Sequence, residues 1–140
     1  MEFLDFQTLV RPASPNTYLL CPDDFCELAA PDMVAPRFAE SPRDLFRLVT
    51  RLVRSEKRAR DVLEDPGLLA IRYVAVTSFL KFKDDVDIRV LPSESGGKPK
   101  DPGSTLAIYS RSRLGYSDLG ANAKRVSNLI EKLQAATLTP

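Results

Sequence analysis

The stretch that decides the fold is Ser104-Thr-Leu-Ala-Ile-Tyr-Ser-Arg-Ser-Arg113. Successive side chains of an extended strand point to opposite faces of a sheet, so alternate positions of this stretch should differ in their surroundings. One face would carry Leu106, Ile108, Ser110 and Ser112, and the other would carry Thr105, Ala107, Tyr109, Arg111 and Arg113. This pattern predicts a strand that begins in an apolar core and ends among polar groups.

Two further strands are predicted upstream of this one. Residues 68–82 are rich in β-branched and aromatic side chains, and fifteen residues is long for one strand, so we expect a bend near Ser78. Residues 86–90 alternate Val-Asp-Ile-Arg-Val, which is typical of a half-buried strand. Residues 83–85, Lys-Asp-Asp, are predicted to form the turn between them, and the Gly- and Pro-rich residues 92–103 a flexible loop. Such short connections favour antiparallel pairing.

A helix is predicted on each side of these strands. Ser41 as N-cap, Pro42 and Asp44 form a helix start, and apolar side chains then recur at helical spacing, which predicts a helix over residues 42–59. Asp118 or Asn122 can cap a last helix. Its buried stripe would be Val126, Leu129, Ile130 and Leu133.

The predicted fold class is α+β, with two layers. An antiparallel sheet of three to five strands carries both helices on one face, in the order β-α-β-β-β-α, with short additional strand candidates at 16–21 and 34–38. We expect an irregular acidic, Pro-rich arm over residues 1–32, one domain over 33–136 and a tail over 137–140.

Composition excludes several classes of protein. The 140 residues are 44% hydrophobic and 28% charged with a net charge of +1, as expected for one soluble domain, which we expect to be monomeric. There is no His, so the chain has no imidazole for a catalytic triad or a zinc site. No apolar run is long enough to span a membrane. The sequence predicts neither a cofactor nor a metal site.

The near-neutral net charge conceals an uneven distribution. Residues 1–41 carry seven acidic and two basic side chains, a net charge of −5, whereas residues 42–140 carry a net charge of +6. We therefore expect the arm to pack on the domain partly through charge complementarity.

The basic side chains of the first helix form a stripe opposite its apolar face. They could contact an anionic lipid surface or simply face solvent, and we favour the solvated face. Nucleic acid is not an expected partner, because there is no Trp and most aromatic residues fall within apolar patterns. The stripe consists of Arg43, Arg47, Arg51, Arg54 and Arg58.

Cys21 and Cys26 leave two alternatives open. They could form a local disulfide in an oxidising compartment, or they could be two separate thiols. Four intervening residues do not match a C-x-x-C redox motif, and Asp23 and Asp24 disfavour a reactive thiolate.

The densest group of polar residues spans 109–125. Arg111 and Arg113 share a strand face just before a helix N-terminus, an arrangement that could bind a phosphate or a carboxylate. In the structural alternative, the arginines pair with Asp84, Asp85 or Asp87 of the neighbouring strand and Asp118 caps the helix. The candidate binding residues, for an anion or a protein partner, are Arg111, Arg113, Asp118, Asn122 and Arg125.

Three segments resemble a known family. They are Arg11-Pro-Ala-Ser-Pro-Asn-Thr-Tyr-Leu-Leu-Cys-Pro22, the step Asp84-Asp-Val86, and Ser110-Arg-Ser-Arg-Leu-Gly-Tyr-Ser-Asp-Leu-Gly-Ala-Asn122. Together they resemble the family catalogued as domain of unknown function 1499, from about residue 10 to residue 135. The resemblance implies no established activity. It implies a bacterial envelope protein, often with an N-terminal membrane segment, or a thylakoid lumenal relative in plants.

These observations predict a non-catalytic binding or scaffold domain of the bacterial envelope that recognises an anionic small molecule or an unknown protein partner. The alternative is a His-free enzyme that acts on an anionic small molecule at the same residues. If an N-terminal leader is removed, we expect a periplasmic or membrane-associated protein with contact limited to the membrane surface. The alternative location is the cytoplasm.

Overall fold

The computed structural model describes residues 3–78, 81–93, 103–115 and 117–137. Within these residues, six strands and two helices follow one another in the order β-β-α-β-β-β-β-α. The strands are β1 (Thr17–Cys21), β2 (Met33–Val34), β3 (Ala59–Asp65), β4 (Ala70–Val76), β5 (Lys83–Pro92) and β6 (Ser104–Ser112). The helices are α1 (Pro42–Ser55) and α2 (Ala121–Thr137).

All six strands belong to one sheet with the order β2-β1-β6-β5-β4-β3. The pairs are antiparallel except β1 with the two-residue β2, which is parallel. β5 and β6 pair over nine positions at the centre, from Asp84 opposite Ser112 to Pro92 opposite Ser104. The α+β class is therefore confirmed, but the sheet has six strands in place of the predicted three to five.

Both helices pack on one face of the sheet. Leu45, Val49 and Val53 of α1 form one apolar core with Leu129 and Leu133 of α2 and with the inward side chains of β4, β5 and β6. Ser41 caps α1 as predicted, since its hydroxyl accepts a hydrogen bond from the Asp44 amide at 3.1 Å.

The N-terminal segment covers part of the opposite face. Phe6 and Leu9 are buried there against Leu19 of β1 and Ala107 and Tyr109 of β6. The segment predicted as an irregular arm therefore supplies β1 to the sheet and closes a second, smaller core. Apolar contacts hold it there, and the ion pair of its Asp32 is made with Arg11 of the same segment at 2.7 Å.

The predicted first helix is four residues too long. α1 ends at Ser55, and residues 59–65 form the edge strand β3, which sequence reasoning missed. The sequence of β3, Ala-Arg-Asp-Val-Leu-Glu-Asp, is rich in residues that suit a helix. It becomes a strand because β4 lies beside it and completes its backbone hydrogen bonds.

The predicted turn at residues 83–85 is also wrong, because these residues begin β5. The strand predicted over 68–82 is β4, which ends at Val76, so the chain reverses between Thr77 and Phe82. Lys-Asp-Asp has the composition of a turn, but basic residues of other elements neutralise its two carboxylates inside the sheet.

Part of the predicted 92–103 loop and residues 138–140 of the predicted tail lie outside the described residues. Within the described part of the chain, no helix is long and apolar enough to cross a bilayer.

Candidate functional site

The sheet separates the five candidate binding residues into two groups. Ser110 and Ser112 of β6 face the helices, so Arg111 and Arg113 point to the opposite face by strand alternation. Asn122 and Arg125 lie on α2, which covers the helix face. Residues that are close in sequence therefore do not form one anion site.

Arg111 and Arg113 both pair with aspartates of β5. Arg111 Nη1 lies 2.6 Å from Asp87 Oδ2, and its guanidinium stacks 5.0 Å from the centre of the Tyr109 ring. Arg113 donates to both oxygens of Asp85 at 3.0 and 2.9 Å. These pairs match the structural alternative for the two arginines.

The pairing with Arg113 lowers the pKa of Asp85. Burial acts to raise the pKa of this carboxyl group, but the hydrogen bonds and charge of Arg113, helped by Arg111 and Arg72, outweigh burial and lower the pKa below 3.8. Asp85 is therefore a charged structural partner of Arg113 at neutral pH.

On the helix face, Asn122 is the centre of a buried hydrogen-bond network. Its side chain has no exposed surface. Its Oδ1 accepts hydrogen bonds from the Ser110 hydroxyl at 2.6 Å and from Arg125 Nη1 at 2.8 Å. Its Nδ2 lies within 3.0 Å of three acceptors, which are the Asn16 carbonyl, Ser112 Oγ and Asp118 Oδ2. Asn122 thus joins the N-terminal segment, β6 and α2.

Of the two capping candidates, Asp118 and Asn122, the structure shows Asp118 bonded to the first amides of α2. Its two carboxylate oxygens accept hydrogen bonds from the amides of Gly120 at 2.8 Å and Asn122 at 3.0 Å. Desolvation acts to raise its pKa, but these bonds and the bond from the Asn122 side chain outweigh it and lower the pKa. The carboxylate therefore stabilises the fold at neutral pH.

We expect Asp118→Asn to lower the free energy of unfolding at pH 7 by about 1 kcal/mol, since the cap loses its charge and one acceptor. Because the pKa is lowered in the fold, this stabilisation is complete above 3.8 and is lost as the pH falls through the folded-state value. Urea unfolding of wild type and variant across this range should show the two curves converging in acid. The exposed Asp23→Asn is the control, and a difference that stays constant in acid would contradict the assignment.

Arg125 links the network to an open cavity. Its Nη2 lies 2.8 Å from Oδ2 of the buried Asp84, without the alignment of a hydrogen bond, while its Nη1 contacts Ser110 and Asn122. The same residue lines a cavity of about 320 Å³ between α2, the end of β4 and the connection from α1 to β3. We call this cavity the α2 pocket. Its other main polar lining residues are Glu56, Arg58, Tyr73, Lys124, Asn128 and Lys132.

The elements around the α2 pocket explain why it is open. Lys124, Asn128 and Lys132 are spaced four residues apart and so form one stripe along α2. The small side chains of Ala75 and Ala121 leave room beneath that stripe. The volume lies at the lower end of the range for small-molecule sites.

Tyr73 is a largely buried residue that lines the α2 pocket. The residue is 4% exposed, and its hydroxyl makes no hydrogen bond to any described residue. Burial raises the pKa of Tyr73 to about 12, in spite of the opposing charge of Arg125. At neutral pH the hydroxyl is therefore a hydrogen-bond donor to whatever occupies the pocket.

The charge of the α2 pocket is positive. Lys132 pairs with Glu56, and Arg125 pairs with Asp84. Arg58 and Lys124 are exposed and form no ion pair with any residue that the structure describes. Two cations and one tyrosine hydroxyl therefore face the pocket without partners among the described residues.

Of the residues of this pocket, the sequence analysis placed Arg125 in the candidate binding site and Arg58 in the basic stripe of the predicted first helix. The spacing of Lys124, Asn128 and Lys132 was a signal for a polar stripe, but nothing local relates that stripe to Tyr73 or Arg58. Within the described ranges, no cluster of three or more side chains is placed to hold a metal ion.

Cys21 and Cys26 are joined by a disulfide bond. Of the two alternatives for these residues, the structure contains the bonded one. The bond closes a short loop beside β1, where Cys21 is fully buried.

One family model matches most of the chain. The family model described as "Protein of unknown function (DUF1499)" matches residues 10–133. The chain belongs to this family. The resemblance noted from the sequence motifs is thus confirmed, and the family description assigns no activity.

The comparison with curated proteins gives no match. Among solved structures, the crystal structure of TTHA0849 from Thermus thermophilus aligns with a TM-score of 0.33 and 16% identity. The alignment covers 74% of this chain and 97% of that chain.

Proposed function

We propose that this family member is a non-catalytic binding domain of the bacterial envelope and that it holds an anionic small molecule in the α2 pocket. The observation that carries the proposal is a set of three groups that line one cavity and have no partner among the described residues, namely the Tyr73 hydroxyl and the cations Arg58 and Lys124. An anion with hydrogen-bond acceptors would satisfy all three groups at once.

The envelope location is supported by the disulfide between Cys21 and Cys26. Disulfide bonds persist in the periplasm and other oxidising compartments and are rare in the cytosol. The resemblance to envelope proteins points the same way.

The enzyme alternative receives less support from the same residues. Ser110 is buried, and its hydroxyl contacts Asn122 Oδ1 and Arg125, neither of which can take its proton. The Tyr73 hydroxyl, with its raised pKa, is not a base at neutral pH. These groups bind and orient, and they do not activate a nucleophile.

The test is a thermal-shift titration with sodium pyrophosphate at constant ionic strength. We expect the melting temperature of wild type to rise with pyrophosphate concentration, because binding to the folded state alone stabilises it. Tyr73→Phe should leave the melting temperature without pyrophosphate unchanged or slightly higher, since the hydroxyl has no partner among the described residues. In Tyr73→Phe the pyrophosphate-dependent rise should shrink, and in Tyr73→Phe/Arg58→Gln it should vanish.

Arg51→Gln is the matched control, because Arg51 is an exposed cation of α1 and does not line the α2 pocket. It should retain the full pyrophosphate response. An equal rise in the double variant, or no rise in wild type, would count against the proposal.

A further inference from the structure

Three strongly exposed apolar side chains lie beside the start of β5, the end of β6 and the start of α2. Phe82, Leu114 and Leu119 are 50%, 75% and 96% exposed. Phe82 directly precedes β5 and Leu114 follows β6, and both line a small cavity of about 110 Å³. Asp118 lines the same cavity and is the immediate neighbour of Leu119. We call Phe82, Leu114 and Leu119 the apolar tip.

Leu119 is held outward by the turn that starts α2. Its φ is +54°, a left-handed conformation that costs a side chain such as leucine free energy. The Asp118 carboxylate fixes the turn by accepting from the amides of Gly120 and Asn122. A rigid turn therefore presents an almost fully exposed leucine to the surroundings.

Two exposed lysines flank Phe82 of the apolar tip. Lys81 and Lys83 flank Phe82 on both sides, and both side chains are exposed without an ion pair to a described residue. The nearby Asp84 and Asp85 are neutralised by Arg125 and Arg113. Among the acidic groups at this end, Asp118 is engaged by the backbone amides of α2.

We propose that the apolar tip docks this domain on the surface of an anionic lipid bilayer. Phe82, Leu114 and Leu119 would enter the boundary between headgroups and acyl chains, and Lys81 and Lys83 would contact lipid phosphates. Apolar side chains that project beside lysines match the two interactions that hold a protein at such an interface. Three projecting side chains offer far less area than the roughly 1,000 Å² that a specific protein interface needs, which favours the bilayer over a protein partner.

The experiment is cosedimentation with vesicles that contain phosphatidylglycerol in phosphatidylcholine, compared with vesicles of phosphatidylcholine alone. We expect the wild type to bind the anionic vesicles and to be released by salt. Leu119→Asn should weaken binding about tenfold, and Leu114→Asn/Leu119→Asn about a hundredfold, since each leucine loses its burial in lipid. Asn tolerates the left-handed conformation, so the variant at position 119 should stay folded by circular dichroism.

Variants of the two lysines test separately how much electrostatic attraction contributes to vesicle binding. Lys81→Gln/Lys83→Gln should weaken binding to anionic vesicles about fivefold per lysine and reduce its salt dependence. The matched controls are Leu28→Asn, a 63% exposed leucine of the N-terminal segment, and Arg43→Gln/Arg51→Gln on the exposed face of α1. Both controls should bind as the wild type does.

Three outcomes would overturn the proposal. They are no binding to anionic vesicles, equal binding to phosphatidylcholine alone, and equal losses in the tip variants and the controls. Tyr73→Phe/Arg58→Gln should bind vesicles normally, because these residues lie in the α2 pocket and outside the apolar tip. Failure of membrane docking and failure of the pocket proposal can therefore be distinguished.

Discussion

Asn122→Ala should lower the free energy of unfolding by about 3 kcal/mol and the melting temperature by about 10 °C. The side chain is completely buried and lies within hydrogen-bond distance of five groups from the N-terminal segment, β6 and α2. Alanine would leave the Ser110 hydroxyl without an acceptor and would remove one acceptor from Arg125 Nη1. The Asn16 carbonyl would keep its hydrogen bond from the Ser112 amide but lose the one from position 122. Each unsatisfied buried group costs on the order of 1–3 kcal/mol.

Asn128→Ala is the control for this prediction. Asn128 lies on the same helix, is exposed and makes no hydrogen bond to a described residue, so its loss should change stability by less than about 0.5 kcal/mol. Urea unfolding of both variants measures the difference. A loss below about 1 kcal/mol in Asn122→Ala would mean that water replaces the side chain and that the network is not central to the fold.

Arg125→Met should cost about 4 kcal/mol, because it leaves the Asp84 carboxylate buried without its counter-charge. In this ion pair the exposed fractions are 18% for Arg125 and 2% for Asp84. Without Arg125, the buried charge of Asp84 lowers the free energy of unfolding, because no counter-charge offsets its desolvation. The methionine side chain is apolar and unbranched, so it can fill the space of the arginine stem. Chemical denaturation at neutral pH measures the cost.

A more exposed ion pair of the same helix, seven residues further on, is the control for Arg125→Met. Lys132 pairs with Glu56, but these side chains are 53% and 41% exposed, so Lys132→Met should cost less than about 1 kcal/mol. In the background of Arg125→Met, replacing Asp84 with Leu should recover much of the lost stability, since it removes the uncompensated charge. Equal costs for the Arg125 and Lys132 variants would contradict the role assigned to burial.

The local elements with strong periodicity were predictable. The alternation in residues 104–113 predicted β6 within one residue and assigned its two faces correctly, and the cap at Ser41 predicted where α1 begins. β3 was not predictable in the same way, because its charged residues suit a helix and only its pairing with β4 makes it a strand. The prediction of a turn at 83–85 was wrong for a related reason. Asp84 and Asp85 are typical turn residues, but arginines distant in the sequence neutralise them and allow them to lie in a strand.

The candidate site residues also differ in whether local sequence could predict their roles. Asp118 as a helix cap follows from its position near the start of α2, and its geometry agrees with that prediction. Arg111 and Arg113 were grouped with Asn122 because they are close in sequence, although strand alternation turns them to the other side of the sheet. Tyr73 and Lys124 are 51 positions apart in the sequence, and no local pattern brings them to one cavity.

The sequence by itself determined the family, through three motifs, and also the α+β class, the start of α1 and the alternation of the central strand. The start of α1 and the alternation depend on a capping group and on spacings within about ten residues, so they follow from local physical chemistry. The tertiary structure alone decided the edge strand β3, the pairing of each arginine with its aspartate and the place of Tyr73 in the α2 pocket, where its hydroxyl has no partner among the described residues. These properties depend on which distant segments become neighbours, and that is set by the burial of the whole apolar face of the sheet at once.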